Sequence, residues 1–168
     1  MNRSLISILM LVTLPVGGVA AQTSVGQRVA FTLAQDLVQR VVVSGKATEQ
    51  IVENPKTVQP GDVLREQVTL RNVSGQRLSG LLVNVPVPRG TEFSVLGTPD
   101  TSRWTAQYSV DGGKTFSAAP RRTVTVTENG RAVTRQENAP PSSYTNVRWT
   151  VTLSPDETLK LSFRVKVK

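Results

Sequence analysis

Carboxylates are the side chains of this chain that could perform acid–base chemistry, because the sequence contains neither His nor Cys. The absence of both excludes an imidazole base and a thiolate nucleophile. The twelve Asp and Glu residues are scattered, mostly at predicted turns, and no two have a spacing that indicates the facing acid and base of a glycosidase. Zinc prefers His and Cys, and calcium needs an Asp-rich loop, which the sequence lacks. We therefore predict that the protein is not an enzyme and has no metal site and no cofactor.

Basic side chains are the second group that could carry a function, since the formal net charge is +8. The polar face of the last two predicted strands carries five of them: Arg148, Lys160, Arg164, Lys166 and Lys168. Arg65 and Arg71 would extend this face if their strand belonged to the same sheet. Such a face could bind an acidic partner protein, an acidic glycan or an anionic lipid surface, or it could simply keep the protein soluble. Nucleic acid is not an expected partner, because aromatic residues are few and the chain is predicted to be exported.

Two further features stand beside predicted loops. Residues 109–116, Ser-Val-Asp-Gly-Gly-Lys-Thr-Phe, resemble the Asp-box hairpin of sialidase-type propellers, but the chain is too short for a propeller. Asp111 can accept backbone N–H bonds within such a turn, so we predict a structural role for it. Trp104 and Tyr108 would be the contacts if the protein bound a glycan, whereas Trp149 is predicted to lie in the core.

The elements that position these side chains are predicted to be strands. Apolar and polar residues alternate strictly over 159–168 and over 147–153, which favours strands with one wet face over helices. The polar turn at 154–157 predicts that these two strands form a hairpin. By the same pattern, residues 64–71 and 78–85 are predicted to pair around Ser74-Gly75.

Other strands are predicted at 93–96, at 104–110 with a return at 115–116, and at 123–127 with a return at 132–136. The last pair flanks Asn129-Gly130, which favours a two-residue hairpin turn. Residues 30–39 favour a strand over a short helix, and residues 41–43 favour a buried strand. The total of about eight to ten short strands predicts one all-β domain, an antiparallel sandwich or a barrel.

The N-terminal residues are predicted to be a signal peptide covering residues 1–21. Arg3 precedes an apolar run at 5–14, and small residues at 19–21 mark a cleavage site between Ala21 and Gln22. As a helix, the apolar run would cover only about half of the hydrocarbon core of a bilayer. No later segment is apolar enough to span one. We therefore expect an exported mature chain, residues 22–168, in the cell envelope, either in the periplasm or at the cell surface.

The order of motifs over residues 40–168 is similar to a known family. It comprises Pro60-Gly61-Asp62, a strand ending in Asn72, a Gly-containing turn and a strand leading into Pro86 and Pro88, followed by residues 89–93, Arg-Gly-Thr-Glu-Phe. This order resembles the bacterial cell-surface conserved repeat domain, known as domain of unknown function eleven. Many members carry Asp just before the first Pro of the Pro-x-Pro element, whereas this chain has Asn84-Val85-Pro86. Many also occur in tandem arrays, whereas this sequence has a single copy.

The resemblance implies an immunoglobulin-like antiparallel sandwich in an exported or wall-associated protein. It also implies a structural or interaction role rather than a catalytic one. We expect an accessory subunit of a surface-layer or outer-envelope assembly, with an envelope or surface-layer protein as its partner. The alternative is an exported domain that binds a glycan or another ligand.

Overall fold

Ten β-strands and one short 3₁₀-helix form the regular structure of residues 28–168, the residues that the computed structural model describes. The strands are β1 (Val29–Val43), β2 (Lys46–Glu53), β3 (Val63–Asn72), β4 (Leu78–Pro86), β5 (Thr91–Leu96), β6 (Trp104–Ser109), β7 (Arg121–Glu128), β8 (Arg131–Asn138), β9 (Asn146–Leu153) and β10 (Thr158–Val167). The 3₁₀-helix is Pro141–Ser143. The predicted all-β class and number of strands are confirmed. The predicted signal peptide and its cleavage between Ala21 and Gln22 lie outside the described residues.

The strands form a two-layer sandwich and a separate two-stranded ribbon. The five-stranded sheet has the order β2-β1-β3-β10-β5, and the three-stranded sheet has the order β4-β9-β6. Strands β7 and β8 pair with each other and form the ribbon. All of these pairings are antiparallel. The predicted antiparallel β-sandwich is confirmed. Within residues 28–168, no helix has the length and apolar character needed to cross a membrane.

The hydrophobic core lies between the two sheets. Trp149 of β9 and Phe163 of β10 are fully buried and meet across it, with ring centroids 6.0 Å apart. The apolar positions of β10 are buried from Leu159 to Val165 while the polar positions between them remain accessible, as strand alternation requires. The five-stranded sheet is wider than its partner, so the inward-facing Phe31 of β1 is still 50% exposed.

Two predicted hairpins are wrong, because their strands lie in different sheets. β9 and β10 do not pair; β10 pairs with β3 and β5, and β9 pairs with β4 and β6. Likewise β3 and β4 belong to opposite layers. A strand can bury its apolar face whether the next strand in the sequence lies beside it in the same sheet or opposite it in the other sheet. Alternation alone therefore cannot distinguish the two arrangements. The turns at 73–77 and 154–157 therefore cross between the sheets.

Strand β1 confirms the predicted strand at 30–39 and corrects the prediction for 41–43. Val42 and Val43 are 73% and 58% exposed. The pairing of β1 with β3 ends at Val38, and beyond that point β1 pairs with β2 alone among the described strands. This end of the β1–β2 hairpin therefore extends past the core, which is why an apolar run there is not buried.

The ribbon confirms the predicted Asn129-Gly130 hairpin. Both residues have positive φ, 49° and 76°, as a primed two-residue turn needs. Every residue of β8 is exposed, and no ribbon residue belongs to or packs against the hydrophobic core of the described residues. The two ends of the ribbon are held together at its base, where the Ala139 N–H donates to the Pro120 carbonyl at 2.9 Å.

Asn72, at the end of β3, connects the two turns that cross between the sheets. Its side chain is fully buried. The amide nitrogen donates to the carbonyl of Gln76 at 2.6 Å and to the carbonyl of Ser154 at 2.8 Å. The amide oxygen accepts from the backbone N–H and the hydroxyl of Ser74. One side chain thus satisfies polar groups of both crossing turns.

Candidate functional site

The five basic residues predicted to share one face do not do so. Lys160, Arg164 and Lys166 project from the outer face of the five-stranded sheet, whereas Arg148 belongs to the three-stranded sheet on the other side of the molecule. The grouping depended on β9 and β10 being hairpin partners, and it fails because they are not. Arg65 and Arg71 of β3 do share the sheet of β10.

Arg148 makes structural contacts on its own sheet. Its guanidinium carbon lies 4.0 Å from the ring centroid of Phe116, and its Nη2 donates to the side-chain oxygen of Gln107 at 2.6 Å. A guanidinium stacked on an aromatic face is a favourable contact. Arg148 thereby holds the loop that follows β6 against the outer face of the three-stranded sheet.

A cleft on the outer face of the five-stranded sheet brings together two of the predicted basic residues. It has a volume of about 430 Å³ and is lined by Val38, Arg40, Glu49, Gly61, Val63, Arg164 and Lys166. Strands β1 and β3 supply the apolar floor, Val38 opposite Val63. Its basic side chains come from β1 and β10, with Glu49 on β2 as the acidic residue. We call this the cationic cleft.

An ion pair spans the cationic cleft. Glu49 of β2 and Arg164 of β10 are three strands apart in the sheet. Nη1 and Nη2 of Arg164 donate to the two carboxylate oxygens of Glu49 at 2.8 and 2.6 Å, a forked geometry that fixes a carboxylate plane. The hydrogen bonds from Arg164 lower the pKa of Glu49, and the bonds to Glu49 raise the pKa of Arg164. Arg40 and Lys166 lie beside the pair with exposed side chains.

The remaining basic residues lie outside the cleft. Lys160 is four residues from Arg164 along β10, about 13 Å in an extended strand, and it pairs with Thr69. Lys168 lies at one end of the sandwich, where it lines a separate depression of about 400 Å³ with Arg89 and Tyr144. Arg65 is engaged by Asp36 through a hydrogen bond of 2.6 Å.

Sequence reasoning missed Arg40 and Glu49 as cleft residues. Both belong to the β1–β2 hairpin, of which the sequence predicts only the β1 strand. The alternation over residues 47–53 mixes small, polar and apolar side chains, so it gives no clear sign of the outward face. The missing signal was the pairing of Arg40 with Glu49, which becomes visible only once the hairpin register is known.

Two carboxylates are buried, and they lie on opposite faces of the five-stranded sheet. Asp36 faces outward and pairs with Arg65. Glu66 faces the core, is 2% exposed and accepts a hydrogen bond from the Gln35 amide at 2.6 Å. Burial raises the pKa of Glu66. Among residues 28–168, no three acidic side chains come together as a metal-binding cluster.

Replacing Glu66 with Gln should stabilise the fold near neutral pH. A carboxyl whose pKa is raised by folding lowers the free energy of unfolding at pH values above that pKa. This destabilisation disappears as the pH falls and the group is protonated. We expect Glu66→Gln to raise the free energy of unfolding by about 1 kcal/mol at neutral pH, with the gain shrinking as the pH is lowered toward about 4. Urea unfolding at several pH values measures this. Exposed Glu53 on β2 provides the control, because Glu53→Gln should have little effect at any pH.

The other sequence motifs have structural contacts. Asp111 accepts hydrogen bonds from the Ser109 hydroxyl and from the backbone of Lys114 and Thr115, and these bonds hold its pKa well below its usual range. These hydrogen bonds within the turn support the predicted structural role of Asp111. Trp104 donates its indole N–H to the Pro99 carbonyl at 2.9 Å.

Tyr108 packs against other aromatic rings. Its ring centroid lies 4.6 Å from that of Tyr144 and 5.4 Å from that of Phe93. Trp149 is fully buried, as predicted. Tyr108 is therefore engaged in packing, and the basic side chains of the cationic cleft are the better candidates for ligand contacts. Comparison with protein-family models, curated proteins and solved structures found no match to this chain.

Proposed function

We propose that this protein is a non-catalytic, exported module of the bacterial cell envelope. It acts as an accessory subunit that docks onto a larger envelope or surface-layer protein. The observation that carries this proposal is the β7–β8 ribbon, which stands apart from both sheets. The apolar run at 5–14 and the resemblance to a cell-surface repeat domain support export and envelope location.

The ribbon has the features of a docking arm. An isolated two-stranded hairpin is only marginally stable in water, and within residues 28–168 neither edge of this one has a neighbouring strand. Such edges can pair with a strand of another protein. Ion pairs Arg122–Glu137 and Arg135–Glu128 lie on one face. Val126 lies opposite Val133 on the same face, in the row that the Arg135–Glu128 pair spans. The arm therefore offers backbone hydrogen bonds along its edges and a small apolar patch on this face.

Shortening the ribbon should abolish partner capture and leave the sandwich folded. Deleting residues 123–128 and 131–136 joins Arg122 to Asn129 and Gly130 to Glu137, so the same turn caps a shorter hairpin. The deletion keeps the hydrogen-bonding register, because it removes six residues from each strand and the ladder repeats every two. We expect the variant to lose the envelope protein that copurifies with the intact chain after gentle solubilisation.

A ribbon of intact length provides the matched control. Val126→Thr with Val133→Thr removes the apolar patch but retains the strand backbone and its β-propensity, so it should weaken capture without abolishing it. Thermal unfolding of both variants should match that of the unaltered protein. Full capture by the shortened variant, or recovery of the intact chain as a free monomer in the medium, would refute the proposal.

A second candidate function is that of an exported glycan- or ligand-binding domain. The cationic cleft favours it, because three basic side chains and an apolar floor surround one recess. The two functions are separable, since the ribbon and the cleft share no residue.

A further inference from the structure

The cationic cleft contains a binding arrangement that is already filled by a side chain of the protein itself. Arg164 holds the Glu49 carboxylate by two parallel hydrogen bonds of 2.8 and 2.6 Å. This forked geometry matches any planar carboxylate. The site around Arg164 is therefore built to accept a carboxylate, and Glu49 occupies that position.

Glu49 is a weak occupant. Its side chain is 44% exposed, and it belongs to β2, the edge strand of the sheet. Exposed ion pairs contribute little to stability, since solvent screens them and two long side chains must be held in place. A ligand that brings its own carboxylate can displace Glu49 at little cost and leave it in water.

The rest of the cleft adds attraction for an anion. Arg40 and Lys166 contribute two more positive charges beside Arg164, against the single negative charge of Glu49. Neither Arg40 nor Lys166 has an ion-pair partner among the described residues. The floor of Val38 and Val63 can contact the apolar face of a sugar ring. A recessed floor suits a flexible polymer better than a flat membrane surface.

We propose that the cationic cleft binds the carboxylate groups of an acidic polysaccharide, and that Glu49 is an internal competitor which the ligand displaces from Arg164. This inference rests on the second candidate function, which it deepens, and is independent of the ribbon. Glu49 then lowers the affinity of the cleft, because a carboxylate must break the Glu49–Arg164 pair before it can bind Arg164.

Two single substitutions break this pair and should have opposite effects on binding. Glu49→Gln removes the competitor and should tighten binding of polygalacturonate about two- to fivefold. Arg164→Gln removes the binding group and should weaken it about tenfold. Both variants lose the same ion pair, so their thermal stabilities should change alike. Isothermal titration calorimetry of the whole mature protein at low ionic strength measures the binding, which should weaken as salt is added.

Charge-matched controls separate the cleft from bulk electrostatics. Glu53→Gln makes the same change in charge as Glu49→Gln, on the same strand but outside the cleft. Arg71→Gln makes the same change in charge as Arg164→Gln, at an exposed arginine of β3. Both should bind polygalacturonate as the unaltered protein does. Equal effects of Glu49→Gln and Glu53→Gln, or of Arg164→Gln and Arg71→Gln, would overturn the proposal.

Two further probes test the identity of the ligand. Neutral dextran should not bind, and vesicles of phosphatidylglycerol should bind no more tightly to Glu49→Gln than to the unaltered protein. If vesicle binding became tighter with Glu49→Gln and weaker with Arg164→Gln, and polygalacturonate did not bind, the ligand would be a lipid surface. The glycan proposal would then be wrong. The shortened ribbon should bind polygalacturonate normally, so failure of the cleft proposal and failure of the docking proposal give different results.

Discussion

Phe163→Ala should lower the free energy of unfolding by about 3–5 kcal/mol, the range for truncating a buried aromatic side chain. Phe163 is 0% exposed, and its ring lies between Trp149 and Phe93, with centroid distances of 6.0 and 5.8 Å. Removing it leaves a cavity where the two sheets meet, and neither sheet can close over the gap without shifting all of its strands. Urea unfolding followed by tryptophan fluorescence measures the loss.

Phe31→Ala is the matched control, because Phe31 has the same side chain on the same inward face of the same sheet. It is 50% exposed, since β1 extends beyond the three-stranded sheet. We expect a loss of about 1 kcal/mol or less, in proportion to the smaller area removed from water. A loss as large as that of Phe163→Ala would mean that the sandwich is closed at β1 and that the described layer arrangement is wrong.

Asn72→Asp should be the most damaging change among the buried polar residues, with a loss of at least about 3 kcal/mol near neutral pH. The Asn72 amide nitrogen donates to the carbonyls of Gln76 and Ser154. A carboxylate in its place would face two carbonyl oxygens without a proton to share. Acidification should restore part of the stability, because the protonated carboxyl of the variant can donate one hydrogen bond, and the fold would raise the pKa of that carboxyl. Urea unfolding at neutral and acidic pH measures both effects.

Asn84→Asp is the control for the same chemical change. Asn84 is exposed on β4, and its oxygen accepts from the Asn146 amide, a bond that Asp can retain. We expect a change within about 0.5 kcal/mol. If Asn72→Asp and Asn84→Asp had equal stabilities, the crossing turns would not depend on the Asn72 side chain.

Most strands are predictable from the sequence because their signals are local, and β2, with its mixed alternation, is the exception. Alternation over 159–168 and the Asn129-Gly130 turn depend on neighbouring residues, and the structure has both elements. The pairing of strands is not local. The alternation over residues 64–71 and 78–85 predicts one hairpin, yet the turn at 73–77 crosses between layers. Asn72 stabilises that crossing through buried hydrogen bonds to both turns.

The candidate site depended on this non-local information. Arg164 and Lys166 were identified from one strand, and they do line the cleft. The sequence pattern groups Arg148 with them only through a hairpin that does not form. Glu49 and Arg164 are 115 residues apart in the sequence, so no spacing rule could have related them; the order β2-β1-β3-β10 brings them together.

The central position of β10 constrains when the chain can fold. β10 lies between β3 and β5, although it follows the other nine described strands in the sequence. While the chain emerges N-terminus first, the five-stranded sheet consists of two unconnected parts, β2-β1-β3 and β5. Assembly therefore waits for residues 158–167, and long-range pairing of this kind is slow. Under the proposed export, a chain that stays open until residues 158–167 arrive can pass through a translocation pore as an extended polypeptide.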